Sequence, residues 1–330
     1  MRTITYRDAL REAIREEMLR DERVFILGED IAGYGGTYAV TKGLFEEFGE
    51  KRVRDTPLAE EIIAGAGIGA ALNGLRPIVE IMTINFSLLA YDQIVNNAAK
   101  MRYMFGGQPS VPIVIRTPGG GGAQRGSQHS QVLEGLYAHI PGLKVVMPAT
   151  PYDAKGMLKS AVRDPDPVIF IEHELLYNVK GEVPDEGVEY LVPLDRGEIK
   201  RAGSDVTIIT FSRMLHVVLQ AAEELAKEGV EAEVIDLRSI RPIDIDLLVD
   251  SVKKTNRVVI AEEGWKYYGT GQGLAALIYE HAFDYMDAPI QHVTGADVPM
   301  PYSKPLERAA LPNKDAIVQA TRAVVPTMTR

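Results

Sequence analysis

Short apolar runs rich in β-branched residues alternate with helix-like stretches along this chain, and that alternation constrains the fold more than any other feature. Runs that are apolar throughout are typical of strands covered on both faces. In the first half, the sequence predicts strands over 24–27, 77–81, 111–115, 144–147 and 168–171, and helices near 5–20, 59–73, 87–104 and 151–163. Because parallel strands need crossover helices, this pattern predicts an α/β domain with a mainly parallel sheet.

A change in composition interrupts this rhythm over residues 180–203, where glycine and proline lie among scattered charges. Such a composition is typical of a connection between domains. Beyond it, strands are predicted over 206–209, 232–237, 258–260 and 290–293, and helices near 213–228, near 243–253 and from about 271. We therefore predict a first domain over residues 1–185, a linker over 186–202 and a smaller α/β domain over 203–330.

The composition of the 330 residues argues against several kinds of function. A net charge of −10 without a basic run disfavours a nucleic-acid partner, because phosphate backbones are bound by clustered Lys and Arg. The absence of Cys excludes disulfides, a thiol nucleophile and a thiolate metal site. The N-terminal region lacks signal-peptide features, and no apolar run approaches the roughly 20 residues that cross a bilayer. We therefore expect a soluble cytoplasmic protein without a membrane partner.

A glycine-rich hexapeptide, Gly-Ala-Gly-Ile-Gly-Ala at 65–70, admits two interpretations. A dinucleotide-binding turn requires its glycines directly after a strand. Here the glycines lie inside a helical pattern, several residues after Glu60. Small residues along a helix let a neighbouring backbone approach closely, so tight helix packing is the favoured interpretation.

Four consecutive glycines at 119–122 follow a predicted strand, and His129 comes shortly after them. In parallel sheets, ligands bind beyond the carboxyl ends of the strands, so this loop can carry a functional group. His is well suited to proton transfer near neutral pH, and glycines let the backbone bring it close to a substrate. The alternative is a loop that only connects two elements.

Two further residues have ordinary structural explanations. Glu60 begins a predicted helix, and a first-turn glutamate commonly complements the helix dipole. Phe86 is by default an aromatic residue of the core. Position alone assigns a function to neither.

Several motifs, in consistent order along the chain, connect it with a known family. They are Asp55-Thr56-Pro57-Leu58-Ala59-Glu60, Thr83-Ile84-Asn85-Phe86-Ser87, Gln128-His129-Ser130-Gln131, Pro141-Gly142-Leu143-Lys144-Val145-Val146 with Asp153-Ala154-Lys155-Gly156, and Thr294-Gly295-Ala296-Asp297-Val298-Pro299-Met300-Pro301-Tyr302. The chain resembles the beta subunits of the thiamine-diphosphate-dependent decarboxylase component of 2-oxo acid dehydrogenase complexes, above all those of pyruvate dehydrogenase. The resemblance implies a pyrimidine-binding thiamine-diphosphate fold followed by a transketolase C-terminal-like α/β domain.

The resemblance also implies roles for four side chains. Glu60 would hydrogen-bond the N1′ nitrogen of the cofactor's aminopyrimidine and promote the tautomer that deprotonates the thiazolium carbon. Phe86 would stack on the pyrimidine, and Leu58 would support the bent cofactor conformation. His129 would lie near the reacting carbon and assist either proton transfer or reductive acylation of a lipoyl group. Glu60 and His129 are thus the expected catalytic residues.

The metal ions and partners are implied by the same resemblance. Thiamine enzymes hold Mg²⁺ and the diphosphate with a Gly-Asp-Gly segment, which does not occur in this sequence. An alpha subunit would supply those groups in an α2β2 heterotetramer, and the second domain would serve dimerisation and docking of the dihydrolipoyl acyltransferase component. A structural potassium ion is implied at the backbone carbonyls of Ile113, Ala161, Val162, Asp164 and Asp166.

The expected activity is thiamine-dependent oxidative decarboxylation of pyruvate with reductive acylation of lipoyl groups. Branched-chain 2-oxo acids and acetoin are alternative substrates within the family, because the alpha chain would build part of the pocket. The pair Leu88-Leu89 departs from the family by replacing a more polar pair of mammalian pyruvate members, which bears on the same assignment. Transketolase-like carbon transfer is a different class, disfavoured because those enzymes usually carry the diphosphate domain on the same chain. A non-catalytic interaction subunit is disfavoured by Glu60 in its motif.

Overall fold

The computed structural model describes residues 1–325 and divides the chain into two compact units. Unit 1 comprises Met1–Gly119 and Leu136–Leu194, and unit 2 comprises Gly120–Gly135 and the described residues from Asp195 onward. The change of unit after Leu194 falls inside the predicted linker. Residues 120–135 group with unit 2, whereas the sequence prediction places them in the first domain, because their backbone amides bind side chains much later in the chain.

Unit 1 is built on a parallel sheet with flanking helices. Its strands are β1 (Arg2–Thr5), β2 (Val24–Gly28), β3 (Val53–Asp55), β4 (Arg76–Glu80), β5 (Val114–Gly119), β6 (Lys144–Val146), β7 (Val168–His173) and β8 (Lys180–Val183), and its helices are α1 (Tyr6–Arg20), α2 (Leu44–Phe48), α3 (Glu60–Leu72), α4 (Met101–Met104), α5 (Glu134–Ala138, starting in the segment of unit 2) and α6 (Pro151–Arg163). Six strands follow the order β6-β7-β5-β4-β2-β3, and every pair is parallel. β1 pairs with β8 in an antiparallel ribbon. The predicted α/β class with a mainly parallel sheet is confirmed.

Unit 2 repeats the α/β arrangement on a smaller sheet. Its strands are β9 (Glu198–Arg201), β10 (Val206–Thr210), β11 (Ala232–Asp236), β12 (Ser239–Arg241), β13 (Val258–Trp265) and β14 (Gln291–Gly295), and its helices are α7 (Met214–Lys227), α8 (Ile245–Thr255), α9 (Thr270–Ala282), α10 (Lys304–Ala310) and α11 (Lys314–Val324). The sheet order is β14-β13-β10-β11-β9, in which only β9 is antiparallel to its neighbour. β9 lies within the predicted linker, so that segment is partly a strand of unit 2.

Local sequence signals explain where the long helices of unit 1 begin. Thr5 caps α1 by accepting a hydrogen bond from the Asp8 amide at 3.1 Å. Thr150 caps α6 in the same way, at 3.1 Å from the Asp153 amide, and Pro151 occupies the first turn. Side-chain oxygens at these positions satisfy amides that have no partner inside the helix, and Pro has no amide to satisfy there. The observed bounds agree closely with the helices predicted near 5–20 and 151–163.

Two predicted elements differ from the structure. The stretch 87–104 is not one regular helix: a 3-10 turn over Phe86–Ala90 is followed by a π-helix over Gln93–Ala98 and then by α4. The Ser87 hydroxyl donates to the Ile84 carbonyl at 2.6 Å, a local bond that tightens the first turn. The strand predicted over 111–115 begins only at Val114, because Pro112 has no amide to donate to a neighbouring strand.

The glycines of α3 allow close packing on the sheet. A Cβ atom added at Gly67 would lie 2.5 Å from Val79 Cγ2 and 3.0 Å from Ile113 Cδ1. The glycines lie inside the helix, away from its first amides, so they do not form a phosphate-binding turn. Close helix packing is therefore the role of this segment. Among residues 1–325, no helix is both long and apolar enough to cross a membrane.

A buried cation joins three neighbouring strands of unit 1. Arg116 on β5 is 1% exposed and lies between the carboxylates of Glu80 on β4 and Glu172 on β7. Its Nη2 donates to Glu172 Oε2 at 2.8 Å, and Tyr177 donates its hydroxyl to the same oxygen at 2.6 Å. Burial lowers the pKa of Arg116, but the two carboxylates outweigh burial and leave that pKa raised. Arg116 is therefore charged and compensates two buried carboxylates at once.

Removing this cation should destabilise the protein strongly. Arg116→Met leaves Glu80 and Glu172 buried without their counter-charge, and we expect a loss of about 3–5 kcal/mol in the free energy of unfolding. Chemical denaturation measures this loss. Adding Glu80→Gln and Glu172→Gln removes the uncompensated charges and should recover part of it.

Arg322→Met is the control, because Arg322 forms an exposed ion pair with Glu228 and its loss should change stability little. If Arg116→Met destabilised the protein no more than this control, the triad would not be an important part of the core.

Candidate active site

Glu60 is the first residue of α3 and lies beyond the carboxyl end of β3. Two hydrogen bonds hold the start of the connection between β3 and α3 at the sheet edge. The Thr56 amide donates to the Gly28 carbonyl at 2.9 Å, and Asp55 Oδ1 accepts from the Ala32 amide at 2.7 Å. Glu60 is only 7% exposed. Within residues 1–325, its carboxyl group has no hydrogen-bond partner. A carboxyl group that has no protein partner and belongs to a largely buried residue is suited to bind a ligand.

Glu29 lies close enough to Glu60 for the two charges to interact. Glu29 directly follows β2. The strand ends at Gly28, which has no room for a side chain because a Cβ atom there would lie 2.7 Å from the Glu80 carbonyl oxygen. Burial, followed by the negative charges of Asp30 and Glu60, raises the pKa of Glu29. The carboxyl ends of β2 and β3 therefore bring acidic side chains together.

Phe86 lies on a segment that is fixed to the neighbouring strand end. The Ile84 amide donates to the Pro118 carbonyl at 2.7 Å, and the Asn85 side chain donates to Thr83 Oγ1 at 2.6 Å. Phe86 begins the 3-10 turn that packs on α3, the helix that starts at Glu60. The structure thus places both predicted pyrimidine-binding residues on elements that contact each other.

Apolar side chains near these residues are exposed. Leu58 is 73% exposed and Ile62 69%, on either side of Glu60 in sequence. Leu88 and Leu89 are also exposed, on the 3-10 turn that packs against α3. Exposed apolar clusters of this kind mark sites of binding to another molecule.

The segment of unit 2 with residues 120–135 carries His129. Its glycines pass close to other residues: a Cβ atom on Gly126, where φ is +76°, would lie 2.5 Å from the ring of Tyr302. Ser127 Oγ donates to the Met300 carbonyl at 3.0 Å. His129 ends a short 3-10 turn and is partly exposed. Met300 and Tyr302 belong to the motif at 294–302 that carries part of the family resemblance, and this motif therefore supports the His129 segment.

Two glutamates that sequence reasoning missed bind the backbone of this segment. Glu263 Oε1 accepts a hydrogen bond from the Gly121 amide at 2.6 Å. Glu307 Oε1 accepts from the amides of Gly122 and Gln124, both at 3.0 Å. The motif at 294–302 ends before Glu307, and carboxylate-to-amide bonds leave no spacing pattern in the sequence. The only local signal was the adjacent pair Glu262-Glu263 in an otherwise apolar strand.

A second acidic pair lies at the end of this segment. Glu134 Oε1 accepts from Thr270 Oγ1 at 2.9 Å, and Glu262 Oε1 is 2.7 Å from His292 Nε2. Both side chains are buried, and the second oxygen of each has no hydrogen-bond partner within residues 1–325. Burial, followed by the charge of Glu262, raises the pKa of Glu134 to about 7. Protonation of Glu134 would turn one unpaired acceptor into a donor and remove the repulsion between the two groups.

The stability of unit 2 should depend on the protonation of Glu134. An ordinary Glu releases its proton near pH 4.5, so a pKa of about 7 contributes stability below pH 4.5 that is lost as the pH rises through 7. In Glu134→Gln this dependence is absent, and the variant should gain up to roughly 3 kcal/mol relative to the parent between pH 4.5 and 8. Urea denaturation followed by the fluorescence of Trp265, the only Trp, measures the difference.

Glu280→Gln, at an exposed position on α9, is the control for charge loss. Its stability difference from the parent should not vary with pH over this range. His292 and Glu263, which also face the pair, are unchanged in both variants. An unaltered pH dependence in Glu134→Gln would contradict the assignment of the raised pKa to this residue.

Four of the five carbonyls predicted to bind potassium, those of Ile113, Ala161, Val162 and Asp164, accept hydrogen bonds within unit 1. Arg76 Nη1 donates to the Val162 carbonyl at 2.7 Å and to the Asp164 carbonyl at 3.2 Å. The Val168 amide donates to the Ile113 carbonyl at 3.0 Å, and the Asp164 amide to that of Ala161 at 3.2 Å. Each carbonyl oxygen has a second lone pair that a cation could use. In residues 1–325, no group of three or more His, Cys, Asp or Glu side chains could hold a metal ion.

Comparisons with known proteins agree with this architecture. Residues 2–180 match the family described as transketolase, pyrimidine binding domain, and residues 195–317 match transketolase, C-terminal domain. A solved structure described as a split gene transketolase, inactive beta4 tetramer, shares the fold with a TM-score of 0.80, at 24% identity, over 97% of this chain and 98% of that one.

Closely similar sequences point to one family. The chain is 51% identical over 323 residues to the mitochondrial pyruvate dehydrogenase E1 component subunit beta of Dictyostelium discoideum, covering 97% of this chain and 91% of that protein. It is 50% identical over 321 residues to the pyruvate dehydrogenase E1 component subunit beta of Rickettsia felis, covering 97% and 98%. The resemblance found in the sequence motifs is confirmed, and the chain belongs to the family of pyruvate dehydrogenase E1 component beta subunits.

Proposed function

We propose that this protein is the beta subunit of an enzyme that oxidatively decarboxylates pyruvate with thiamine diphosphate and transfers the acetyl group to a lipoyl group. The observation that carries the proposal is Glu60, a largely buried residue at the start of α3 whose carboxyl group has no hydrogen-bond partner in residues 1–325. The relatives reported above are named for pyruvate dehydrogenase, which favours pyruvate over branched-chain 2-oxo acids and acetoin.

Glu60 is suited to bind a nitrogen heterocycle. In the first turn of α3, it is the one residue that is largely buried and also has a side chain able to form a strong hydrogen bond. Thiamine diphosphate, when bound, supplies an acidic thiazolium carbon that adds to the 2-oxo group. Glu60 would share a proton with the N1′ nitrogen of the aminopyrimidine, and a bound cofactor that excludes water from this largely buried residue would strengthen that bond. Its role is to hold and move one proton at a fixed position.

Leu58 and Phe86 would orient the cofactor. Phe86 begins a turn that packs on α3, so an aromatic ring stacked there has a defined position relative to Glu60. Leu58 is exposed within the motif that ends at Glu60, where an apolar contact could support the bent cofactor. Orientation of this kind contributes to rate by limiting the conformations of the reacting groups.

His129 is proposed to assist proton transfer or reductive acylation of the lipoyl group. It is partly exposed on a supported segment of unit 2, as a group that meets an incoming substrate arm must be. An imidazole side chain can act as an acid or as a base. The pH dependence of the two half-reactions distinguishes the two roles.

An alpha subunit is proposed to bind Mg²⁺ and the diphosphate in an α2β2 heterotetramer. The proposal is supported by the missing Gly-Asp-Gly segment and by the exposed apolar residues around Glu60, which a partner would cover. Unit 2 is proposed to dock the dihydrolipoyl acyltransferase component. The cytoplasmic location expected from the sequence stays a prediction.

Potassium binding at Ile113, Ala161, Val162, Asp164 and Asp166 is part of the proposal. Hard cations prefer oxygen ligands, and carbonyls with one hydrogen bond keep a lone pair for a cation. Arg76 donates to two of these carbonyls, so a bound ion would have to share them with its guanidinium group.

Glu60→Gln should abolish activation of the cofactor. In the complex with the alpha partner, we expect both turnover and hydrogen exchange at the thiazolium carbon to fall by about 100-fold or more, because the amide cannot transfer the proton. Exchange is measured by nuclear magnetic resonance after rapid acid quench, and turnover by carbon dioxide release.

Glu61→Gln is the matched control, because Glu61 occupies the same first turn but is exposed. If Glu60 served only the helix dipole, both variants would behave alike. Exchange and turnover close to those of the parent in Glu60→Gln would rule out the proposed mechanism.

The composite site predicts that this chain alone does not turn over pyruvate. Mixing it with a partner that carries the Gly-Asp-Gly segment should restore activity, because the diphosphate then has its metal and donors. The measurement is turnover of pyruvate, a branched-chain 2-oxo acid and acetoin with and without the partner. Turnover by the chain alone would contradict the shared site, and a preference for another substrate would contradict pyruvate.

A further inference from the structure

The segment that carries His129 is tied to unit 2 by two buried carboxylates from different elements. Glu263 on β13 is 8% exposed and Glu307 on α10 is 2% exposed. Together they accept hydrogen bonds from the amides of Gly121, Gly122 and Gln124, at 2.6 to 3.0 Å. A buried carboxylate bound to amides forms charge-assisted hydrogen bonds, which are stronger than neutral ones.

The two carboxylates are compensated differently. Glu263 also receives a hydrogen bond from Arg213 Nη1 at 3.1 Å, so part of its charge is balanced by a cation. Within residues 1–325, Glu307 has no ion pair, and the amides of Gly122 and Gln124 are the only donors to its side chain. Because an uncompensated buried carboxylate is costly, the carboxyl group of Glu307 and the loop backbone hold each other in place.

The backbone between these amides and His129 needs outside support. Gly122, Gln124 and Gly126 have φ values of +98°, +57° and +76°. Gln124 is the only non-glycine residue among them, and such a residue pays a steric penalty in this region. The bond from its amide to Glu307 stabilises that conformation five residues before His129.

We propose that Glu307 is a positioning residue of the reaction: it holds the 120–126 backbone in the one conformation that presents His129. This inference rests on the role proposed above for His129. Glu307 itself need not touch cofactor or substrate, since its carboxyl oxygen is occupied by loop amides.

The test uses the complex assembled with its alpha partner and carrying Glu307→Leu or the milder Glu307→Gln. In Glu307→Leu, amide hydrogen exchange in peptides spanning 120–130 should become about tenfold faster or more, while exchange in the strands of both units stays unchanged. We expect kcat to fall by about 10-fold to 100-fold with little change in KM for pyruvate. Glu307→Gln keeps an oxygen acceptor and should recover most of the activity.

A double-mutant cycle with His129→Ala separates positioning from general structural damage. If Glu307 acts through His129, Glu307→Leu should cost no further turnover in the His129→Ala background. Glu280→Gln is the control for loss of one negative charge in unit 2 and should match the parent in exchange and turnover.

Unchanged exchange over 120–130, or an equal loss of turnover with and without His129, would overturn the proposal. Failure of the proposed function has a different signature. Full turnover by His129→Ala alone would contradict the role of His129, whereas faster exchange in Glu307→Leu would still support its hold on the loop.

Discussion

The ion triad of Arg116 with Glu80 and Glu172 is the constraint on which unit 1 depends. Neighbouring parallel strands place Glu80 beside Arg116 in register, and a slip by one residue would turn these side chains to the opposite face of the sheet. The triad therefore stabilises a single register of β4, β5 and β7. The amides of Ile81 and Ile84 donate hydrogen bonds to the Arg116 and Pro118 carbonyls, respectively. The position of the chain that leads to Phe86 therefore depends on the same register. Phe86, which is predicted to stack on the cofactor, is thus placed by an interaction that lies wholly inside the protein.

Buried carboxylates are compensated in four different ways in this molecule. A shared cation serves Glu80 and Glu172, loop amides serve Glu307, and Glu263 receives both an arginine and an amide. Glu134 avoids the charge by keeping its proton up to about pH 7. Glu60 is the exception, because the described chain offers it no partner at all. The Glu60 carboxyl group is therefore available to bind a ligand.

Most of the fold could be predicted from the sequence, whereas parts of the site could not. Apolar runs and caps such as Thr5 and Thr150 act locally, so strand and helix limits agree with the structure in most cases. Glu60 and Phe86 were identified by a resemblance that matched their motifs, and the structure brings their elements together. The placement of residues 120–135 with unit 2 was missed, because it depends on Glu307, far away in sequence. Carboxylate-to-amide bonds follow from the folded backbone and leave no periodic pattern.

The bond between Gly122 and Glu307 joins residues 185 positions apart. During synthesis, the first unit's strands and helices are complete, and can pair, well before residue 307 leaves the ribosome. The segment with His129 therefore lacks its hydrogen bonds to Glu307 while most of the second unit is being synthesised. Because contacts so distant in sequence form late in folding, the His129 segment reaches its final conformation only after residues up to Glu307 have been made and folded. Shortened chains that end before α10 would keep the Glu60 motif but lack the anchor of the His129 segment.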